Sequence, residues 1–112
     1  MTDYKELIVW QKSIDLVEKV YTLTKEFPKD EIFGLSSQMR RSAVSIPSNI
    51  AEGSRRKNIE RIHFLRISFG SASEIETQLI ISGRLGYGSS SIHKDIFELL
   101  TEVLKMLNKM IY

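Results

Sequence analysis

The stretch LIVWQKSIDLVEKVYTLTKEF, residues 7–27, indicates the fold class. Its apolar residues recur at spacings of three and four, which is the period of an amphipathic α-helix. They form two stripes, one made of Leu7, Trp10, Ile14, Val17 and Tyr21, and the other of Val9, Leu16, Val20, Leu23 and Phe27. We interpret Trp10 and Tyr21 as core residues rather than as a ligand platform. Pro28 follows directly and predicts the end of this helix.

Three further segments show the same period. In residues 30–53 an apolar stripe stays in phase across Pro47, which predicts one bent helix ended by Gly53. Residues 58–85 form the longest segment, and residues 92–112 repeat the pattern at the end of the chain. No run of alternating β-branched residues occurs. The sequence therefore predicts an all-α, up-down-up-down four-helix bundle.

The length and composition restrict the class of protein. A chain of 112 residues is long enough for one domain, which we expect to span residues 1–112. The absence of cysteine excludes disulfides, thiolate metal sites and cysteine nucleophiles. No apolar run approaches the roughly 18 residues of a membrane span, and the opening residues lack the apolar region of a signal peptide. We therefore expect a cytoplasmic protein with no membrane partner.

The first, third and fourth predicted helices carry more apolar surface than one bundle core would bury. Soluble proteins avoid large exposed apolar patches, so this surplus predicts a homo-oligomer. A single thick core is the alternative. Glu76 lies within the heptad pattern of the third helix, where a carboxylate would need a partner. It is either a buried assembly residue or, if the helix is rotated, a residue at the rim.

Positive charge concentrates in the middle of the chain. Between positions 40 and 66 there are seven basic and two acidic residues, a net charge of +5; the basic ones are Arg40, Arg41, Arg55, Arg56, Lys57, Arg61 and Arg66. This pattern indicates a polyanionic partner, although a solvated helix surface would look the same. Arg40 and Arg41 lie three or four helical turns from the others and need not share their patch. The basic residues lack the interleaved set of aromatic residues that single-strand binders use for base stacking, so any nucleic-acid contact would be to phosphates.

Motifs for catalysis or metal binding are incomplete. Glu60 and His63 form one Glu-x-x-His pair of the kind used in di-metal bundles, but Ser90 stands three residues before the only other histidine, His93. The glycines match neither the P-loop nor the dinucleotide-binding motif Gly-x-Gly-x-x-Gly. No serine lies in the Gly-x-Ser-x-Gly motif of a nucleophile elbow. We therefore expect no catalytic residues, no metal and no cofactor.

Several motifs carry a resemblance to a known family. They are FGLSSQMRRSAVSIPSNIAEG at residues 33–53, LIVWQK at 7–12, EIETQL at 74–79 and LGY at 85–87. Together they resemble the four-helix bundle proteins related to the 23S rRNA intervening-sequence protein, over essentially the whole chain. The resemblance implies a left-handed bundle that assembles as a homopentamer. It also implies distant relationship to the accessory proteins of diversity-generating retroelements, which bind nucleic acid and a reverse transcriptase.

Together these features predict a non-enzymatic, oligomeric helical bundle that binds RNA or another nucleic acid weakly and without regard to sequence. The alternative is a protein-binding assembly scaffold with no nucleic-acid partner, whose basic residues serve only solubility. The resemblance carries no catalytic or binding residues over to this chain, so the basic cluster and Glu76 rest on the sequence pattern alone.

Overall fold

Four α-helices make up most of the chain in the computed structural model, which describes residues 3–112. They are α1 (Ile8–Thr24), α2 (Leu35–Ser54), α3 (Asn58–Arg84) and α4 (Ser90–Ile111), and two short 3-10 turns lie at Tyr4–Glu6 and Lys29–Glu31. No strand occurs in this part of the chain. The predicted all-α fold with four helices is confirmed.

The start of α2 differs from the expectation. Residues 29–31 form a separate 3-10 turn, and the α-helix begins only at Leu35. The Glu31 side chain accepts a hydrogen bond from the Leu35 backbone N–H at 3.3 Å, and the Glu31 carbonyl accepts one from Gly34 at 2.9 Å. Glu31 thus satisfies N–H groups that a helix start leaves free. The chain turns at Gly34 before the helix can begin.

Pro47 and Gly53 are of residue types that often interrupt a helix, but neither ends α2. The helix continues through Pro47, as the unbroken apolar stripe predicts. Gly53 does not end it, because α2 extends to Ser54. Gly53 is buried, and a Cβ added there would lie 3.2 Å from both the Arg61 carbonyl oxygen and the Phe64 Cβ. The glycine therefore allows α2 and α3 to approach closely near their shared turn.

Each helix packs against two others: α1 and α3 both contact α2 and α4. Between α2 and α3 the Ser68 hydroxyl donates to the Ile46 carbonyl at 2.9 Å. Ser71 donates to Ser45 Oγ at 2.8 Å, one turn further along. As the residue number rises on α3 it falls on α2, so these two helices run antiparallel. Serine hydroxyls thus link α2 to α3 by hydrogen bonds.

The core consists of one cluster of buried residues from all four helices. In α1 only the second stripe is fully buried: Val9, Leu16, Val20 and Leu23, followed by Phe27 just beyond the helix. The first stripe lies at the edge of the core, where Trp10 is half-buried and Tyr21 is 38% exposed. Trp10 packs against the core from its edge, so the core interpretation holds for it in part, whereas for the exposed Tyr21 the interpretation was wrong. The centre of the bundle lies on one side of α1, and these two side chains point toward the outer surface beside α2.

Candidate nucleic-acid interface

The turn between α2 and α3 presents three consecutive basic residues. Arg55, Arg56 and Lys57 are all exposed there. The first turn of α3 begins directly after them, with no side chain capping its free N–H groups. Helix N-termini carry partial positive charge, so the turn and the helix start add to the same positive potential. This end of the bundle is suited to an anionic partner.

Arg56 is the most constrained of the three. Its guanidinium group forms an ion pair with Glu52 at 2.6 Å and a longer one with Glu60 at 3.6 Å. It also lies over the Phe64 ring, 5.5 Å from the centroid. The hydrogen bond to Glu52 and the attraction of its charge raise the pKa of Arg56. With two carboxylates beside it, Arg56 contributes less positive potential than its neighbours.

Four other cations at this end have no carboxylate within ion-pair distance in the described part of the chain: Arg55, Lys57, Arg61 and Arg66. Arg55 lies over the Tyr4 ring at 5.4 Å, and Arg66 lies over Tyr112 at 5.8 Å. Arg61 and Arg66 line one shallow cleft at the start of α3. The structure therefore brings together four exposed, unneutralised basic side chains. We call them the end cluster.

The sequence pattern did not indicate the two tyrosines that hold the end cluster. Tyr4 and Tyr112 lie near opposite ends of the chain, 108 residues apart in the sequence numbering. The Tyr4 ring lies against Arg55 and the Tyr112 ring lies against Arg66, so residues before α1 and after α4 both reach the end cluster. The signal that could have found them is the predicted up-down-up-down order, which places both chain ends beside the α2–α3 turn.

Arg40 and Arg41 belong to a different part of the surface. Fourteen residues of helix separate Arg41 from Arg55, which is about 21 Å at 1.5 Å per residue. The Arg40 Nε donates to Thr24 Oγ1 at 2.8 Å, and its guanidinium carbon lies 4.7 Å from the centre of the Tyr21 ring. Arg41 is exposed beside it. The seven predicted basic residues therefore divide between two regions, with the end cluster and the paired Arg56 at the α2–α3 turn and the start of α3, and Arg40 and Arg41 further back on α2.

An acidic surface lies between α1 and α4. Asp15, Glu18, Asp95, Glu98 and Glu102 surround a shallow cleft there, together with Lys19 and Leu99. Lys12 spans the two helices and pairs with Glu102 at 2.8 Å. Because the acids gather beside α1 and the end cluster lies at the α2–α3 turn, the small net charge of +2 conceals a polarised molecule.

Glu76 is half-buried on α3. Within residues 3–112 its carboxylate has neither a hydrogen bond nor an ion pair with another residue. The fully buried polar side chains of this helix are instead Ser68, Ser71, Gln78 and Ser82. A single copy of the chain thus leaves Glu76 at the edge of the core, and its role in assembly stays a prediction.

Glu60 and His63, the two residues of the Glu-x-x-His motif, contact different neighbours. Glu60 faces Arg56, and the His63 ring lies 5.3 Å from the neighbouring Phe64 ring. Over residues 3–112, no three His, Asp or Glu side chains are grouped so that they could hold a metal ion. None of the helices described is long and apolar enough to cross a membrane.

Comparisons with known proteins agree on one family. The family model described as 23S rRNA-intervening sequence protein matches residues 5–109. A solved structure from Bacteroides thetaiotaomicron, described as a protein with unknown function from the S23 ribosomal protein family, is 28% identical with a TM-score of 0.84. The match covers 93% of this chain and 98% of that one. Among curated proteins no significant match was found.

Proposed function

The chain belongs to the 23S rRNA-intervening sequence protein family, and from that premise we propose that it is a non-enzymatic, oligomeric bundle that binds RNA or another nucleic acid through phosphate contacts. The observation that carries this proposal is the end cluster. Arg55, Lys57, Arg61 and Arg66 lie at one end of the bundle without carboxylate partners among the residues described. Such side chains neutralise phosphates and release counterions, which is the main source of sequence-independent affinity.

The proposed mode of binding follows from what surrounds the cluster. Two of its four guanidinium or ammonium groups lie over tyrosine rings, so their positions are restrained while their charge stays exposed. Tyr4 and Tyr112 already stack with Arg55 and Arg66, so we expect them to give successive bases no continuous stacking platform. We therefore propose contacts to the backbone phosphates and little discrimination among sequences.

The proposal includes the assembly that the resemblance implies, a left-handed up-down-up-down bundle in a homopentamer. Contacts at both ends of the helices support the up-down order: Arg66 of α3 lies over Tyr112, and Gly83 lies against His93 near the start of α4. Exposed apolar residues on several helices support self-association. In a ring of five, each chain would add its own end cluster, and the avidity for a long polyanion would rise accordingly.

A direct test measures the binding of a fluorescein-labelled single-stranded RNA by anisotropy over a range of salt concentrations. The test variant replaces Arg55, Lys57 and Arg61 by serine and keeps Arg56, which is already paired with Glu52. Each phosphate contact contributes about −0.7 to the log–log slope of affinity against salt. Loss of three contacts should therefore flatten the slope by about 2 and weaken binding equally for unrelated sequences.

A matched control removes the same charge from the other end of the bundle. Lys29, Arg84 and Lys94 are exposed there, and replacing them by serine should leave the slope nearly unchanged. Wild-type protein that fails to bind RNA or DNA at about 50 mM salt would contradict the proposal, because electrostatic binding is strongest at low salt. Equal weakening by both triple variants would also contradict it, since the effect would then come from net charge alone.

One observation favours the second candidate, a protein-binding scaffold. An open apolar groove runs between α1 and α2, lined by Tyr4, Trp10, Ile14, Val17, Val44, Pro47, Ser48 and Ala51. Exposed apolar surface of this kind marks protein contacts rather than nucleic-acid contacts. If the RNA test fails, the groove makes the scaffold the better proposal.

A further inference from the structure

The apolar groove between α1 and α2, which we call the α1/α2 groove, extends into a neighbouring cleft. Val44 is shared with a second cleft that also contains Tyr21, Ile32, Arg40 and Arg41. The whole groove is therefore apolar along most of its length and cationic at the end where the two arginines stand. Val44 and Tyr21 are 41% and 38% exposed, so no part of residues 3–112 covers this surface.

A second apolar surface lies on the outside of α3 and α4. Ile62, Phe69, Glu76 and Gly83 recur every seven residues on α3 and so share one face. Gly83 lies against His93, since a Cβ there would be 3.9 Å from the ring, so this face borders α4. We call it the α3/α4 face.

Exposed apolar side chains complete the α3/α4 face around Glu76. On α3, Ile80 stands one turn beyond Glu76 and is 52% exposed. On α4, Phe97 stands one turn beyond His93 and is 50% exposed. Phe69 and Leu104 are half-buried and pack against the core from this side. The face is therefore an apolar surface with a single carboxylate in it.

The charged groups of the two surfaces lie at the same height along the bundle. The hydrogen bonds Ser71–Ser45 and Gln78–Ser42 fix the register of α3 against α2. In an antiparallel pair they place Glu76 between the levels of Arg40 and Val44, within about one helical turn of Arg40 and Arg41. A neighbouring copy with a parallel axis could therefore bring its Glu76 opposite these arginines without sliding along the bundle.

We infer that the α3/α4 face of one copy docks in the α1/α2 groove of the next, with Glu76 pairing with Arg41 and with the free guanidinium nitrogens of Arg40. This inference rests on the self-assembly proposed above and assigns its interface. The two surfaces are complementary in both respects: each is apolar, and the carboxylate of one meets the cations of the other. Because the surfaces differ and lie on different helix pairs, the contact is head-to-tail, which is the type of contact that the ring proposed above requires.

The test exchanges the two charges and measures the molar mass by size-exclusion chromatography with light scattering, without nucleic acid. Glu76→Arg and Arg41→Glu should each weaken assembly by roughly tenfold or more, because like charges would face each other across the interface. The double variant, Glu76→Arg with Arg41→Glu, should restore assembly. Glu74→Arg is the matched control, since Glu74 is exposed on α3 two residues away and off the face; it should assemble like the wild type.

The possible outcomes of this experiment test self-assembly, the interface and the ion pair separately. A wild-type protein that stays at 12.9 kDa at micromolar concentration would overturn both self-assembly and this interface. An oligomeric wild type whose assembly is unaffected by Glu76→Arg and Arg41→Glu would overturn the interface alone. Single variants that disassemble without rescue by the double variant would overturn the ion pair. Arg41 is exposed, so Arg41→Glu keeps its fold even if Glu76→Arg does not, and circular dichroism verifies the helices of each variant.

Discussion

Leu16→Ala is expected to lower the free energy of unfolding by about 2–5 kcal/mol, whereas Ile14→Ala on the same helix should change it by less than about 1 kcal/mol. Leu16 is fully buried in the core, so truncation removes apolar contacts and leaves a cavity. Ile14 belongs to the other stripe of α1 and lines the open α1/α2 groove. Surrounding solvent can fill the space that its truncation leaves.

Urea denaturation followed by circular dichroism would measure this difference. Both variants should be compared with the wild type at the same low protein concentration, because assembly adds concentration-dependent stability. For a domain of this size, a loss of 2–5 kcal/mol corresponds to a melting temperature lower by about 10–30 °C. Equal losses for Leu16→Ala and Ile14→Ala would mean that the first stripe of α1 is packed as deeply as the second, contrary to the structure.

Gly88→Ala is expected to have an effect of similar size, a loss of about 2–5 kcal/mol of unfolding free energy. Gly88 has a φ of +78° in the turn before α4, a conformation that costs an L-residue about 1–2 kcal/mol. An added Cβ would also overlap the side chain of Leu23, which is completely buried, so that moving it aside would disturb the packing of the core. Overpacking a core position of this kind costs about 1–3 kcal/mol more.

Gly86→Ala separates these two contributions. Gly86 lies in the same turn with a φ of +73°, but nothing lies within 4 Å of a Cβ added there. Gly86→Ala should therefore lower the unfolding free energy only by the cost of the backbone conformation, about 1–2 kcal/mol. Thermal melts of the two variants side by side give the steric part as their difference. If Gly86→Ala proves as destabilising as Gly88→Ala, the contact with Leu23 contributes nothing and the turn is limited by the backbone alone.

The sequence alone predicted the helices because helix formation depends on neighbours three and four residues apart. The apolar period identified all four, and Pro47 was correctly placed inside the second one. The predicted boundaries were less reliable where a single side chain decides them. The start of α2 depends on the Glu31 side chain and a turn at Gly34, and Gly53 serves close packing against α3 rather than helix termination.

What only the tertiary structure decided is which surfaces come together. Two stripes on α1 are equally apolar in the sequence, and the position of the bundle axis alone makes Leu16 core and leaves Trp10 at the rim. The same holds for the charges. The sequence already places Arg40 and Arg41 three or four helical turns from the other basic residues, but only the packing of the helices sets the Tyr4 ring against Arg55 and the Tyr112 ring against Arg66. Local periodicity determines a helix and its faces, but the distances between residues far apart in the chain arise only when the four helices pack.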